Sequence, residues 1–256
     1  MAFLYNFIRN KLHPIYWLYK FSYFRKILKN SFLFLNKTNK FGNFYLYLPR
    51  NINFFLNSKN YETETFNKII EVNNKNNQDM VFIDIGANLG IYSLFFKKKY
   101  NSRVFLFEPD LNNLVALIKT KKKNNFLDFN ILPLGISNKN GKEDFLKDTI
   151  SGLTGSLSKT RNYPQKRMNL EEYTEILTVK LDIFIDLFEK ISWIKIDIEG
   201  HEVEAIQGMI GIIEKNQPNL IIEASIDNIF KIKKLLKHIN YKVEKINKGP
   251  NFIFYK

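Results

Sequence analysis

One short stretch, Asp84-Ile85-Gly86-Ala87-Asn88-Leu89-Gly90, limits what this chain can fold into more than any other. Before it, Met80–Ile85 is a brief apolar run that reads as a buried strand, and from Gly90 to about Lys98 the apolar residues fall at helical spacing. The chain must therefore reverse sharply between a strand and a helix. Glycine permits that turn and lets the backbone come close to a ligand. Asp84, at the strand end, offers a carboxylate to a cationic ligand group. The turn is not G-x-G-x-x-G and carries no P-loop lysine, so neither a dinucleotide pyrophosphate nor a triphosphate is indicated.

The same rhythm continues. Val104–Phe107, Phe129–Leu132, Trp193–Ile198 and Asn219–Ala224 read as strands. Leu111 to about Lys122, Glu202 to Glu214 and Ile226–His238 read as helices. Tyr61–Val72 is helical through Phe66, Ile69 and Ile70, and Tyr241–Ile246 with Phe252–Tyr255 forms a closing pair. This order predicts an α/β fold with a mostly parallel sheet, an antiparallel C-terminal strand and helices on both faces. Residues 138–175 are polar and break the rhythm, so they read as an insertion, and Ile176–Leu181 reads as a strand belonging to it. Residues 1–40 read as two or three short helices, broken near Pro14 and around Asn36–Asn39, and residues 41–56 as extended. The chain thus divides into an extension over 1–60 and a catalytic or binding domain over 61–256.

In open α/β sheets, ligands bind outside the carboxyl ends of the strands. Glu108, before Pro109, ends the second core strand about 20 residues after the glycine turn, where an acid can accept ribose hydroxyls; it could instead cap a helix. The absence of a pyrophosphate motif then favours a nucleoside such as S-adenosylmethionine. Lys195-Ile196-Asp197-Ile198-Glu199-Gly200-His201-Glu202 follows. Strand alternation would put Lys195, Asp197 and Glu199 on one side. Unpaired, these charges would each cost several kcal/mol to bury, which places them at a ligand-facing strand end. The structural alternative is a Lys195–Asp197 pair. Glu223 also ends an apolar strand and faces either the same cleft or water.

With these blocks placed, the chain resembles the FkbM family of class I methyltransferases through DIGANLGIYS, the FEP of 107–109 and KIDIEGHE, over about residues 80–225. The resemblance implies a Rossmann-like class I sheet and S-adenosylmethionine as cofactor. Asp84, Gly86, Ala87, Asn88 and Gly90, with Tyr92 and Ser93 from the same block, would surround the methionine part. Glu108 with Pro109 would hold the ribose, and Ile136-Ser137 would lie near the adenine. Leu134-Gly135-Ile136-Ser137 departs from the family's usual alanine-containing form, which puts the adenine contact in doubt. Asp197 and Glu199, with Lys195 beside them, would line the reaction cleft. The family mostly methylates oxygen, often sugar hydroxyls on glycans or polyketide-like products, so a glycan or a related small polar molecule is the expected acceptor. A hydroxyl acceptor gains from a general base, and Asp197, Glu199 and His201 are the candidates. Metal independence is expected, because the three histidines show no ligand spacing. Ser151–Ser156, rich in hydroxyls, is a candidate acceptor loop.

Charge bears on partners. The chain of 256 residues carries a formal net charge of +14 and no cysteine. The first acidic residue is Glu62, whereas the preceding stretch carries ten Lys and Arg interleaved with aromatics. This composition fits an AT-rich genome, an anionic membrane surface contacted through residues 1–40, or a helical extension with solvated lysines. No apolar run is long enough to span a bilayer and no secretory signal is evident, so a cytoplasmic site, peripheral at the inner face of the membrane if residues 1–40 bind lipid, is expected. Two other readings compete: an RNA methyltransferase, for which no RNA-binding module signature is found, so nucleic acid is not the expected partner, and a non-catalytic binder on the same scaffold.

Overall fold

A computed structural model describes residues 33–39, 42–48, 62–73, 80–147, 155–157, 172–188, 190–246 and 249–256. Its centre is a seven-stranded sheet. The strands that build it are β3 (Val81–Ile85), β4 (Arg103–Phe107), β5 (Phe129–Leu132), β9 (Ile191–Ile196), β10 (Asn219–Glu223), β11 (Lys242–Lys245) and β12 (Asn251–Tyr255). Their spatial order is β11-β12-β10-β9-β3-β4-β5. Neighbours from β10 through β5 are parallel, and β12 runs antiparallel to both β10 and β11. The chain leaves β3 towards β4 and β5, then returns to build β9 and β10 on the other side. That reversal opens a crevice at the carboxyl end of β3.

Strand alternation sorts the core into two layers. Phe82, Trp193 and Ile221 face one side. There they pack with α1 (Thr63–Val72), α2 (Ile91–Tyr100) and α3 (Leu111–Asn124) through Phe66, Ile69, Phe95, Phe96 and Leu117. Phe82 stacks on Phe96 at 3.9 Å between ring centroids; cutting such a ring back to alanine costs about 3–5 kcal/mol. Ile83, Ile85, Ile194, Ile196, Leu220 and Ile222 face the other side. They meet α4 (Glu202–Gln207), α5 (Ile210–Asn216) and α6 (Ile226–Leu235) through Ala205, Ile206, Ile212, Ile229 and Ile232. Asp84 and Lys195 belong by alternation to the first layer, so both place an ionisable group in a buried face beneath α2.

Four local expectations are corrected. Leu33–Asn39 is a strand, β1, paired antiparallel with β2 (Gly42–Leu48), so the expected helical extension does not hold there; Asn36–Asn39 lie within the ladder because Leu33–Asn39 finds register partners in β2. The helices expected over 1–32 lie outside the described residues. The helix expected over Glu202–Glu214 is two, separated at Gly208-Met209. A Cβ on Gly208 would sit 1.9 Å from the Ser137 carbonyl oxygen, so the chain passes Ser137 where only glycine fits. The 138–175 stretch contributes β7 (Gly141–Lys147) and the first half of β8 (Glu172–Val179). These pair antiparallel beside the two-residue β6 (Gly135–Ile136), and Leu181, expected at a strand end, begins a 3-10 turn. Finally, β9 ends at Ile196, two residues earlier than expected.

Candidate active site

Three strand tips meet at the crevice. Ile85 lies in register with Phe107 on one side and Ile196 on the other. The backbone closes over them: Gly86 N and Ala87 N donate to the Phe107 carbonyl at 3.0 and 3.1 Å, and Asp197 N donates to the Ile85 carbonyl at 3.1 Å. Gly86 has φ +74°, and a Cβ there would lie 2.0 Å from the Asp197 carbonyl oxygen. The glycine is thus required by the neighbouring strand's end, independently of any ligand. Asn88, at φ 51°, completes the turn, and Gly90 caps α2.

The resulting cleft encloses about 700 Å³, part of it open to solvent. Gly86, Asn88, Glu108, Pro109, Ile136, Asp197 and Glu199, all expected from the sequence, line it. So do Asp110, Asn113, Phe145 and Gly155-Ser156-Leu157, which sequence reasoning missed as site residues or, for Gly155 and Ser156, took as acceptor loop. Ser156 is no loose loop residue: its backbone bridges Leu146, and its hydroxyl donates to the Glu199 carbonyl at 2.8 Å. Residues 151–154 of the expected acceptor loop lie outside the described residues.

Glu108 is buried. Its carboxylate accepts from Asn88 N at 2.7 Å and from Asp110 N at 2.8 Å, which ties the β4 tip to the glycine turn. Burial raises its pKa to about 7, against the lowering effect of those two bonds. After Pro109, Asp110 is the N-cap of α3, its carboxylate accepting from Asn112 N and Asn113 N.

The other acids are held differently. Lys195 Nζ bonds Asp197 Oδ2 at 3.0 Å, so the sequence's structural alternative for this pair is present, and Asp197 still lines the cleft. Glu199 is not on the strand. It sits at φ 57° in a turn with Gly200, whose N–H donates to the buried Glu202 carboxylate. Glu202 also accepts from Asn228 Nδ2 at 2.9 Å, and burial raises its pKa.

The remaining candidates do not line the cleft. Asp84 is buried behind it and accepts from the Ser93 hydroxyl at 2.6 Å, while its Oδ1 has no hydrogen-bond partner among the described residues. Burial raises its pKa, opposed by the Lys195 charge. Ala87 and Tyr92 pack in the core, and Gly90 faces Leu117. Ser137 is fully buried with its hydroxyl 3.0 Å from His201 Nε2, so His201 is engaged away from the cleft rather than facing solvent or acceptor. Glu223, the last residue of β10, is not a lining residue. Among the described residues, no group of three His, Asp or Glu is placed to hold a metal, and no helix is long and apolar enough to cross a membrane.

The family profile described as Methyltransferase FkbM domain matches residues 84–245, from the glycine turn to the end of β11. The chain belongs to the FkbM methyltransferase family. It is 26% identical over 183 residues to the hexuronic acid methyltransferase AglP of Haloferax volcanii, covering 69% of this chain and 70% of that protein. It also resembles the solved methyltransferase FkbM of Methylobacillus flagellatus KT, with TM-score 0.50 and 17% identity over 70% of this chain. That match spans 44% of the solved chain and shows the fold. As a class I methyltransferase of this family, the domain uses S-adenosylmethionine. The cleft fits such a group chemically. It combines carboxylate acceptors (Glu108, Asp197, Glu199) with apolar walls (Ile85, Phe107, Leu134, Ile136, Phe145).

Proposed function

We propose that the protein transfers a methyl group from S-adenosylmethionine to a sugar hydroxyl on a uronic acid-containing glycan. The observation that carries this reading is a single cleft bordered by two separately held sets of acids: Glu108 at the β4 tip, and Asp197 with Glu199 beyond β9. In this reading Glu108 accepts the ribose hydroxyls, Gly86 and Asn88 border the methionine part, and Ile136 with Leu134 and Phe145 packs on the adenine. Asp84, Ala87, Gly90, Tyr92, Ser93 and Ser137 shape the walls from behind. The relative named for a hexuronic acid supports a sugar acceptor, and the net charge of +14 favours an anionic one by long-range attraction.

The bound donor supplies an already activated methyl group on a sulfonium. The protein's work is therefore alignment and removal of the acceptor's proton. Lys195 fixes Asp197 through Oδ2, and Oδ1 takes the hydroxyl proton. Glu199 orients the acceptor from its turn. With His201 engaged by Ser137, the base role falls to Asp197. No metal is required, so chelation leaves the rate unchanged; loss of activity in EDTA contradicts this. The extension over 1–60 lies outside the catalytic domain of 61–256. Residues 1–40 bring a cytoplasmic enzyme to anionic membrane surfaces, which vesicle flotation with and without them tests.

The test is a methyl-transfer screen with labelled donor against uronides, neutral glycosides and RNA. A methyl ether on a uronide is expected. Transfer to RNA with none to any saccharide overturns the reading.

A further inference from the structure

Lys195 is an unusual residue to place inside a sheet. It lies on β9 between β3 and β10, its side chain is 6% exposed, and it shares a buried face with Asp84, Phe82 and Trp193. On one side it meets Asp197, the pairing that the sequence offered as the structural alternative. Lys195 Nζ lies 4.7 Å from the centroid of the Tyr92 ring, on the first turn of α2. The Tyr92 hydroxyl donates to Glu62 Oε2 at 2.7 Å. Glu62 immediately precedes α1 and is held in turn by the Thr65 hydroxyl at 2.7 Å and Asn251 Nδ2 at 3.4 Å. Phe66 of α1 packs edge-on against the same ring at 5.1 Å.

These contacts form one chain of interactions from Glu62 through Tyr92 and Lys195 to Asp197. Each link has a physical consequence for the next. A carboxylate accepting from a phenol fixes the ring's orientation and increases its electron density. A richer π face holds an ammonium more strongly, the more so where water is excluded. An ammonium so held directs its N–H donors at Asp197 with less freedom. Glu62 and Asn251 both lie outside the residues that match the family profile, so this support comes from beyond the recognised domain.

We propose that Glu62 and Tyr92 are positioning residues that act through Lys195 to fix the Asp197 carboxylate at the cleft. The inference rests on the proposed role of Asp197 in acceptor deprotonation. Its structural part stands apart from that role and is tested separately.

The experiment uses the full chain with lysine side chains labelled in nitrogen-15. The Lys195 ammonium signal is assigned by its loss in Lys195→Met. Glu62→Gln and Tyr92→Phe both keep the shape of their sites. Each is expected to shift that signal and to speed its hydrogen exchange, and the double variant to change it no more than Tyr92→Phe alone. On a uronide acceptor, kcat is expected to fall about tenfold in each, with acceptor KM and the Kd for S-adenosylhomocysteine within about twofold of the parent. A Lys195 signal unmoved in Glu62→Gln overturns the proposal, and so does a shifted signal with unchanged kcat. Should Tyr92→Phe fail to fold, Glu62→Gln alone decides. A parent protein that methylates no uronide overturns the acceptor reading and leaves the ammonium measurement to judge the coupling.

Discussion

Glu108→Gln removes one charge from the cleft and leaves the side chain's size unchanged. The native carboxylate accepts from two backbone N–H groups, of Asn88 and Asp110, and burial raises its pKa to about 7. Ribose hydroxyls are donors, so they select the ionised form. At pH values below about 7, ligand binding must first drive off a proton, at a cost approaching tenfold per pH unit. S-adenosylhomocysteine is therefore expected to bind about tenfold more weakly near pH 6 than near pH 8 by titration calorimetry. In Glu108→Gln the pH slope vanishes. Affinity near pH 8 drops by about 1.5–3 kcal/mol, the worth of hydrogen bonds to a charged acceptor. Stability follows the opposite sign. A carboxyl whose pKa is raised on folding contributes stability that is complete below its unfolded value of 4.5 and is lost as pH rises through about 7. That interval corresponds to about 3 kcal/mol, so the pH dependence of Tm across this range is expected to shrink in the variant. Parent affinity that is flat between about pH 6 and pH 8, or a slope that survives in Glu108→Gln, refutes the reasoning.

Three further outcomes are expected. Gly86→Ala places a Cβ 2.0 Å from the Asp197 carbonyl at a positive φ, so it should destabilise the fold by about 3 kcal/mol or more in denaturant titration; a cost below about 1 kcal/mol contradicts the packing described. Asp197→Asn should lower kcat by about 10²–10⁴ while S-adenosylhomocysteine still binds. His201→Ala should retain most of the activity, and the reverse ranking would return the base role to His201.

Local physics explains what the sequence disclosed. The apolar run ending at Asp84, the glycines after it and the acid one βαβ step later are close in sequence and obey the strand and turn rules. The glycine turn, Glu108 and Asp197 were therefore legible, as were the sheet and its reversed strand. Features set by distant pairing were not. Lys195-x-Asp197-x-Glu199 reads as continuing alternation, yet β9 stops at Ile196, and the turn at Glu199-Gly200 is held by Glu202 and by Ser156, 43 residues away. Ile206, Met209, Ile210 and Ile213 keep helical spacing across Gly208, so the break there reflects contact with Ser137, which no local pattern reports. Phe145 and Leu157 reach the cleft because β7 pairs with β8 and Leu146 bridges Ser156, so a polar stretch with no βα rhythm supplies one wall. Glu62 and Tyr92 are 30 residues apart and meet because α1 and α2 share one face of the sheet.

The most direct test of the account is a crystal structure with S-adenosylhomocysteine bound. The ribose hydroxyls are expected about 3 Å from the Glu108 carboxylate, with the sulfur on the side of the cleft bordered by Gly86 and Asp197. A nucleoside bound elsewhere, or a Glu108 that touches Asn88 and Asp110 and no ligand atom, would contradict it.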